Sequence, residues 1–382
     1  MAILTLLCSP IDLMAGKGNG GGGGGKPPKD DPQEPVAVGT IYLTQGDAVY
    51  AMNSDGSDLT LVIPADIAKQ YYQSASGTVV PSHHVDGPDL FFDRWWLGVK
   101  SLGTDPLTGI EIKELFAFRM ERGESGPVVD AENQLTNAFV DRFLVNDTDR
   151  KPSWGPNDAF VSFTTTEFGV EDDTPYVIAK HLTRLDVSGA DLMFAMFAES
   201  EDYLLRANSE QWSLPVTLNS GYYEKFRQHR WGPLGETVAY LGVDTSVEGT
   251  KPDLFLTNTN SGATTKLWES TYYYTEFDWA KDGSLFAIDT GFEIHVRDLN
   301  GNSNFVLIDG SWEGFLQPHW SPDSSQLLVK KVARKGGGFD PVYNYYLERI
   351  SRNGGDLISV PTGLDESISF EINAWVSNDL PE

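Results

Sequence analysis

The sequence predicts an all-β fold, a six-bladed β-propeller closed by its own C-terminal strand, and three observations predict it. A Trp, a polar turn and an apolar strand recur along the chain. A strand broken by a Gly-centred turn recurs between them. The two ends of the chain are complementary halves of one such unit.

The first repeat reads Trp154-Gly-Pro-Asn-Asp-Ala-Phe-Val, Trp231-Gly-Pro-Leu-Gly-Glu-Thr-Val, Trp279-Ala-Lys-Asp-Gly-Ser-Leu-Phe and Trp320-Ser-Pro-Asp-Ser-Ser-Gln-Leu, with a degenerate copy at His84-Val-Asp-Gly-Pro-Asp-Leu-Phe-Phe. The second reads Val49-Tyr-Ala-Met-Asn-Ser-Asp-Gly, Thr183-Arg-Leu-Asp-Val-Ser-Gly, Leu256-Thr-Asn-Thr-Asn-Ser-Gly, Val296-Arg-Asp-Leu-Asn-Gly and Glu348-Arg-Ile-Ser-Arg-Asn-Gly. Asn, Asp and Gly supply the positive-φ positions that a two-strand reversal requires, so these copies are hairpins. One Trp-turn unit and one Gly-turn unit together make four strands, a propeller blade. The chain opens at Thr40-Ile-Tyr-Leu without a Trp strand before it and stops on Ile372-Asn-Ala-Trp-Val with no strand after it. The last strand is therefore expected to complete the first blade, and with units starting near His84, Trp154, Trp231, Trp279 and Trp320 the total is six.

Residues 1–38 read differently from 39–382. The apolar run Ala2 to Cys8 resembles the end of an export signal, and Gly20 to Gly25 with Lys26-Pro-Pro-Lys has nothing to bury and is expected to be a flexible tether. A periplasmic or extracellular setting is the expectation, with membrane tethering at the head as a variant of it. Cys8 is the only cysteine, so residues 39–382 hold neither a disulfide nor a thiolate metal cluster. A net charge of −27 repels phosphate backbones and argues against a nucleic-acid partner. No later stretch approaches the ~18 apolar residues of a membrane span.

Trp320-Ser-Pro-Asp, Trp154-Gly-Pro-Asn and Lys281-Asp-Gly are similar to the repeat of TolB-like (WD40-like) propellers, over nearly all of residues 40–382. The resemblance implies the fold. TolB itself carries an α/β domain ahead of its propeller, where this chain has the glycine tether, so TolB's partner surfaces are not carried over.

The Trp-turn and Gly-turn loops are short, and the long segments 64–81, 100–113, 166–180, 197–225, 244–252 and 331–341 are expected on the opposite rim. Insertions gathered on one rim mark a binding face. Tyr72, Tyr223, Tyr273 and Trp312 are the candidate anchors there, and Glu171, Asp172 and Asp173 the candidate acidic contacts, for a protein or peptide partner or a glycan. The recurring Trp residues are expected to pack blade against blade, and Asn157, Asp282 and Asp323 to cap turns.

A rival reading rests on histidine. His84, His229 and His319 all lie at or just before the Trp position of their blades, where side chains line a channel, and with Asp278 they are candidates for a divalent-metal site. Oligogalacturonate lyases, which resemble this chain in architecture, use such a channel metal, so the rival is a lyase-like glycan enzyme. Inner strands are also polar simply because a channel holds water. The favoured expectation is a non-enzymatic binding propeller without a cofactor.

Overall fold

Antiparallel pairing accounts for all the sheet structure of the computed structural model, which describes residues 38–71, 79–83, 85–104, 111–135, 143–145, 152–171, 174–186, 210–212, 228–242, 253–261, 263–268, 276–308, 314–335 and 342–379. The described strands fall into six sheets. The first joins Thr40–Gln45, Ala48–Asn53 and Thr60–Ile63 to the C-terminal strand Phe370–Val376, and the second runs from Val80–Pro81 through Trp95–Thr104 and Glu111–Gly123 to Gly126–Gln134. Phe160–Glu171 and Thr174–Asp186 dominate the third, with the short Ser153–Trp154 on its inner side. The fourth begins at His229–Trp231, the fifth at Glu276–Trp279 and the sixth at Gly314–Trp320, each followed by three more strands. The fold is an all-β propeller.

Strands of such a ring are buried on both faces, so alternate residues serve opposite neighbours. Tyr42 packs with Trp96 and Phe118 of the second sheet, whereas Ile41 and Leu43 pack with Leu328 and Leu347 of the sixth. Trp95 and Leu97 face Trp154 and Val161 of the third sheet, while Phe160 turns the other way to Trp231 of the fourth. Ala239 and Leu241 meet Trp279 of the fifth, and Leu285 and Val296 meet Trp320 and Leu327 of the sixth. Each apolar cluster thus bridges consecutive sheets, and the cluster between sixth and first returns the series to its start. The tryptophans fill these wedges; Trp279, for one, stacks on Phe286 at 4.6 Å between centroids.

The closure joins chain ends more than 300 residues apart, with Ile41 opposite Trp375 and Leu43 opposite Ile372. Side chains reinforce the backbone ladder. Thr40 Oγ1 donates to Asn378 Oδ1 at 2.6 Å, and Gln45 Nε2 donates to the carbonyls of Asp365 and Ile368 at 2.9 Å. Arg94 has no exposed surface and spends its guanidinium on the carbonyls of Ser82, His83, Leu90 and Ser377, pinning the end of the chain to the second sheet.

Two details differ from the sequence reading. The degenerate unit at His84 was expected to put a strand on Leu90–Phe92; instead Leu90, Phe91 and Phe92 lie in a turn and the strand starts at Trp95. Asp89 Oδ1 accepts the Phe91 amide and Asp93 Oδ2 the Asp89 amide, which holds that turn closed. Of the segments read as long insertions, 166–171 and 174–180 belong to the paired strands Phe160–Glu171 and Thr174–Asp186, and 331–335 continue the strand Gln326–Lys335, which pairs with Val342–Ser351.

Deleting Ser369 to Glu382 should abolish cooperative folding. Burial of Phe370, Ile372, Trp375 and Val376 would be lost, on the order of 5–10 kcal/mol, which rivals the whole stability of a domain. Arg94→Met should lower the melting temperature without abolishing the transition, and deleting residues 1–35 should leave it unchanged. Equal melting temperatures for the full-length and C-terminally shortened chains would contradict the closure.

Candidate functional site

In the third to sixth sheets the innermost strand ends in its Trp and passes into a turn, so these strands deliver side chains to the axis and turns to a single rim. At that rim an axial cavity of about 460 Å³ opens, within the 300–1,000 Å³ usual for ligand sites. Every sheet contributes to its wall: Pro81 and His83, Trp154 and Asn157, Arg230 and Trp231, Asp278 and Lys281, His319 and Trp320, and Asn373 and Trp375. Pro156, Pro233 and Pro322, from equivalent turns, complete the mouth. Leu234, beside Pro233, is 85% exposed.

Polar side chains stitch the inner strands together. Gln228 Oε1 accepts the Phe277 amide at 2.8 Å, Asp278 Oδ2 the Trp320 amide at 2.8 Å, and Gln317 Oε1 the Ile372 amide at 3.1 Å; Asn373 Nδ2 donates to the Val79 carbonyl at 2.9 Å. Each bond crosses from one sheet to the next, in order from the fourth through the fifth, sixth and first to the second. Gln317 reaches its position through a bulge in the sixth sheet's inner strand, with φ of +54°. Its own amide donates to Asp289 Oδ2 at 3.0 Å, which supports that conformation.

Asp278 is the electrostatic centre of the wall. Besides the Trp320 amide it faces Arg230 Nε at 3.4 Å, and Arg230 Nη1 donates to the His229 carbonyl at 3.0 Å. Burial pushes the Asp278 carboxyl up, but Lys281, His319 and Arg230, with the Trp320 amide, outweigh burial and hold it below the usual carboxylate range. On the second and third sheets His83 Nδ1 pairs with Asp158 Oδ1 at 2.8 Å. Asn157 and Asp158 form the adjoining turn, both at positive φ, of 55° and 52°.

The sequence-predicted metal residues divide here. His319 and Asp278 line the cavity, each immediately before its Trp. His229 is two residues before Trp231, so strand alternation turns it into the wall. It is 1% exposed, and its Nε2 lies 2.7 Å from Ser162 Oγ, which also accepts the Trp231 indole N–H at 2.7 Å. His84 lies outside the described residues. Among the described residues no group of three or more His, Cys, Asp or Glu side chains is placed to hold a metal. Of the rim residues singled out from sequence, Tyr72, Tyr223, Tyr273, Trp312, Asp172 and Asp173 lie outside the described residues, and Glu171 is described only as the end of its strand.

Sequence reasoning missed Arg230 and the stitching residues Gln228, Gln317 and Asn373. The signal was present: position −1 from each Trp, which is Ser153, Arg230, Asp278, His319 and Ala374, lines the cavity in all five cases. Asn157, expected only to cap a turn, also lies in the wall. Asp282 and Asp323 do cap theirs, accepting the Ser284 amide at 3.0 Å and the Ser325 amide at 3.0 Å.

Comparison with known proteins finds no matching family model and no matching curated protein. Solved structures do match, and the likeness is to TolB propellers and other β-propellers. TolB of Acinetobacter baumannii is 14% identical over 89% of this chain and 67% of its own, with a TM-score of 0.48. A functionally unknown protein of Desulfotomaculum acetoxidans is 10% identical over 88% of this chain and 99% of its own, at 0.45, and a puromycin-hydrolyzing peptidase of Mycobacterium tuberculosis is 12% identical over 87% and 54%, at 0.44. The likeness concerns the fold. Among the described residues no helix is long and apolar enough to cross a membrane.

Two predictions follow from the wall. Burial, then the neighbouring Arg230 charge, lower the His229 pKa to about 3, against a smaller opposing effect of Ser162. The folded imidazole therefore stays neutral while the unfolded one takes up a proton below about pH 6.5, and stability falls with pH from there down to about 3, at up to ~1.4 kcal/mol per pH unit. Urea titrations between pH 6.5 and 4.5 should show a shallower pH dependence for His229→Gln than for wild type; identical slopes would mean that His229 charges in the folded protein. Asp278→Ala should cost about 3–5 kcal/mol, because Arg230 and the Trp320 amide both lose their partner. Asp278→Asn should cost less, since its amide oxygen still accepts from Trp320.

Proposed function

We propose that this chain is a non-catalytic binding propeller that holds a protein or peptide segment at the Trp-turn end of its axis, its six sheets serving as six blades. The carrying observation is the axial cavity itself, open at one rim, walled by indoles and prolines from the whole ring and bearing a few fixed polar groups. Such a wall matches the usual composition of a ligand site: mostly apolar surface with a small number of orienting polar groups. The stitching bonds keep it in shape before any ligand arrives, which lowers the ordering cost of binding.

The sequence reading assigned this work to the opposite rim, through Tyr223, Tyr273 and Trp312. A glycan enzyme working through a channel metal needs His84, His229 and His319 to converge, and the engagement of His229 with Ser162 inside the wall takes support from it. An envelope or exterior setting belongs to the proposal as well, on the apolar head and the glycine-rich segment that follows it.

Two sets of substitutions separate the faces. Pro233→Glu and Pro322→Glu, in the cavity mouth, should weaken partner or peptide binding at least tenfold in protein that still unfolds cooperatively. Tyr223→Ala, Tyr273→Ala and charge reversal at 171–173 should change affinity less than twofold. The opposite pattern, measured by titration of a purified partner, would return the working face to the insertion-bearing rim.

A further inference from the structure

The charge in the axial cavity does not follow that of the chain. Acids outnumber bases 55 to 28 overall. In the wall, Arg230 and Lys281 face Asp278 and Asp379, with the imidazoles of His83 and His319 beside them. The two acids are not equivalent to the two bases. Asp278 already accepts the Trp320 amide at 2.8 Å and faces Arg230 at 3.4 Å, and Asp379 accepts the Ser377 hydroxyl at 2.7 Å on the first sheet, across the ring from Arg230. The portion of wall built by the fourth, fifth and sixth sheets therefore holds one carboxylate against an arginine and a lysine. Lys281 is exposed and lines the same cavity as Pro233 and Pro322.

We propose that the cavity takes the free carboxylate end of a peptide, with Arg230 and Lys281 receiving the carboxylate and the indole and proline wall receiving the residues before it. This rests on the peptide-binding reading of the same cavity. A guanidinium and an ammonium on one side of a partly desolvated pocket favour a single carboxylate, which forms charge-assisted hydrogen bonds with both. A small acid alone would leave the apolar wall, drawn from all six sheets, without contact. A peptide C-terminus supplies both the charge and the apolar body, and its extended chain enters a cavity too small for a folded partner.

The test uses the full chain, immobilised, and two randomised hexapeptide libraries that differ only in ending as free acid or amide. Wild-type protein should retain free acids at least tenfold over amides. Lys281→Gln, an exposed substitution that leaves the core untouched, should lower that preference at least threefold; Arg230→Lys, which keeps the charge but removes the planar fork, should also reduce it. Each variant is first shown to unfold cooperatively. Equal retention of acids and amides, abolished in both cases by Pro233→Glu, would overturn the carboxylate proposal and leave the peptide-binding cavity standing. Retention of neither library would overturn the proposal. So would sodium butyrate binding, read by tryptophan fluorescence and sensitive to the same two variants, when neither library is retained: the ligand would then be a small acid.

Discussion

Everything in this molecule depends on one antiparallel ladder, between Thr40–Gln45 and Phe370–Val376. Each sheet of a ring buries both faces against neighbours, so no sheet has a core of its own, and an open ring would expose two apolar faces and one strand edge at once. The last strand removes all three liabilities. Its own residues Phe370, Ile372 and Trp375 enter the cluster between the sixth and first sheets, while its ladder covers the edge of the first. Arg94 then ties the segment after that strand to the second sheet, so the closing strand is held on both sides.

The axis shows why a propeller keeps polar residues at its centre. Inner strands converge, and backbone amides on their free edges face the next sheet instead of a hydrogen-bonded partner strand. An unpaired buried amide costs about as much as a lost hydrogen bond. Gln228, Asp278 and Gln317 each satisfy one such amide in the following sheet, and Asn373 satisfies a carbonyl. These bonds are structural, yet they fix the wall of the cavity, because Asp278 and Asn373 line it as well. Stability and site are built from the same side chains, and a substitution at Asp278 reads on both.

The repeats made the fold legible. Trp154, Trp231, Trp279 and Trp320 sit at the ends of inner strands, and the Asn, Asp and Gly turns after Val49, Leu256, Val296 and Glu348 are hairpins, because both features are local consequences of side-chain size and permitted φ; the turn of the Thr183 copy lies outside the described residues. The degenerate unit at His84 was not legible in detail: its turn is held by the carboxylates of Asp89 and Asp93 and by the buried Arg94, and the last two lie outside the repeat copy. Nor was the difference between His229 and His319. One residue of offset from the Trp decides whether a side chain faces the axis or the wall, and a pattern that groups positions at or just before the Trp erases that residue. The inter-sheet bonds were beyond reading from one sequence, since Gln228, Gln317 and Asn373 act on strands that are neighbours only in the ring.

The acidic exterior and the less acidic cavity act on a ligand at different distances. At physiological salt, fields from exposed charges are screened over ~8 Å, so the net charge of −27 discourages an approaching polyanion, while a pocket that excludes part of the solvent keeps its own charges effective over contact distances. A partner with negative charge spread along its length meets the exterior first and is repelled. On the proposed reading, one whose only negative charge is a terminal carboxylate carries little net repulsion and would deliver that charge to Arg230 and Lys281. Specificity then comes as much from what the surface turns away as from what the cavity holds. On this view the acidity of the chain is not separate from its binding site: it narrows the ligands that reach the cavity to neutral or basic segments with one acidic end.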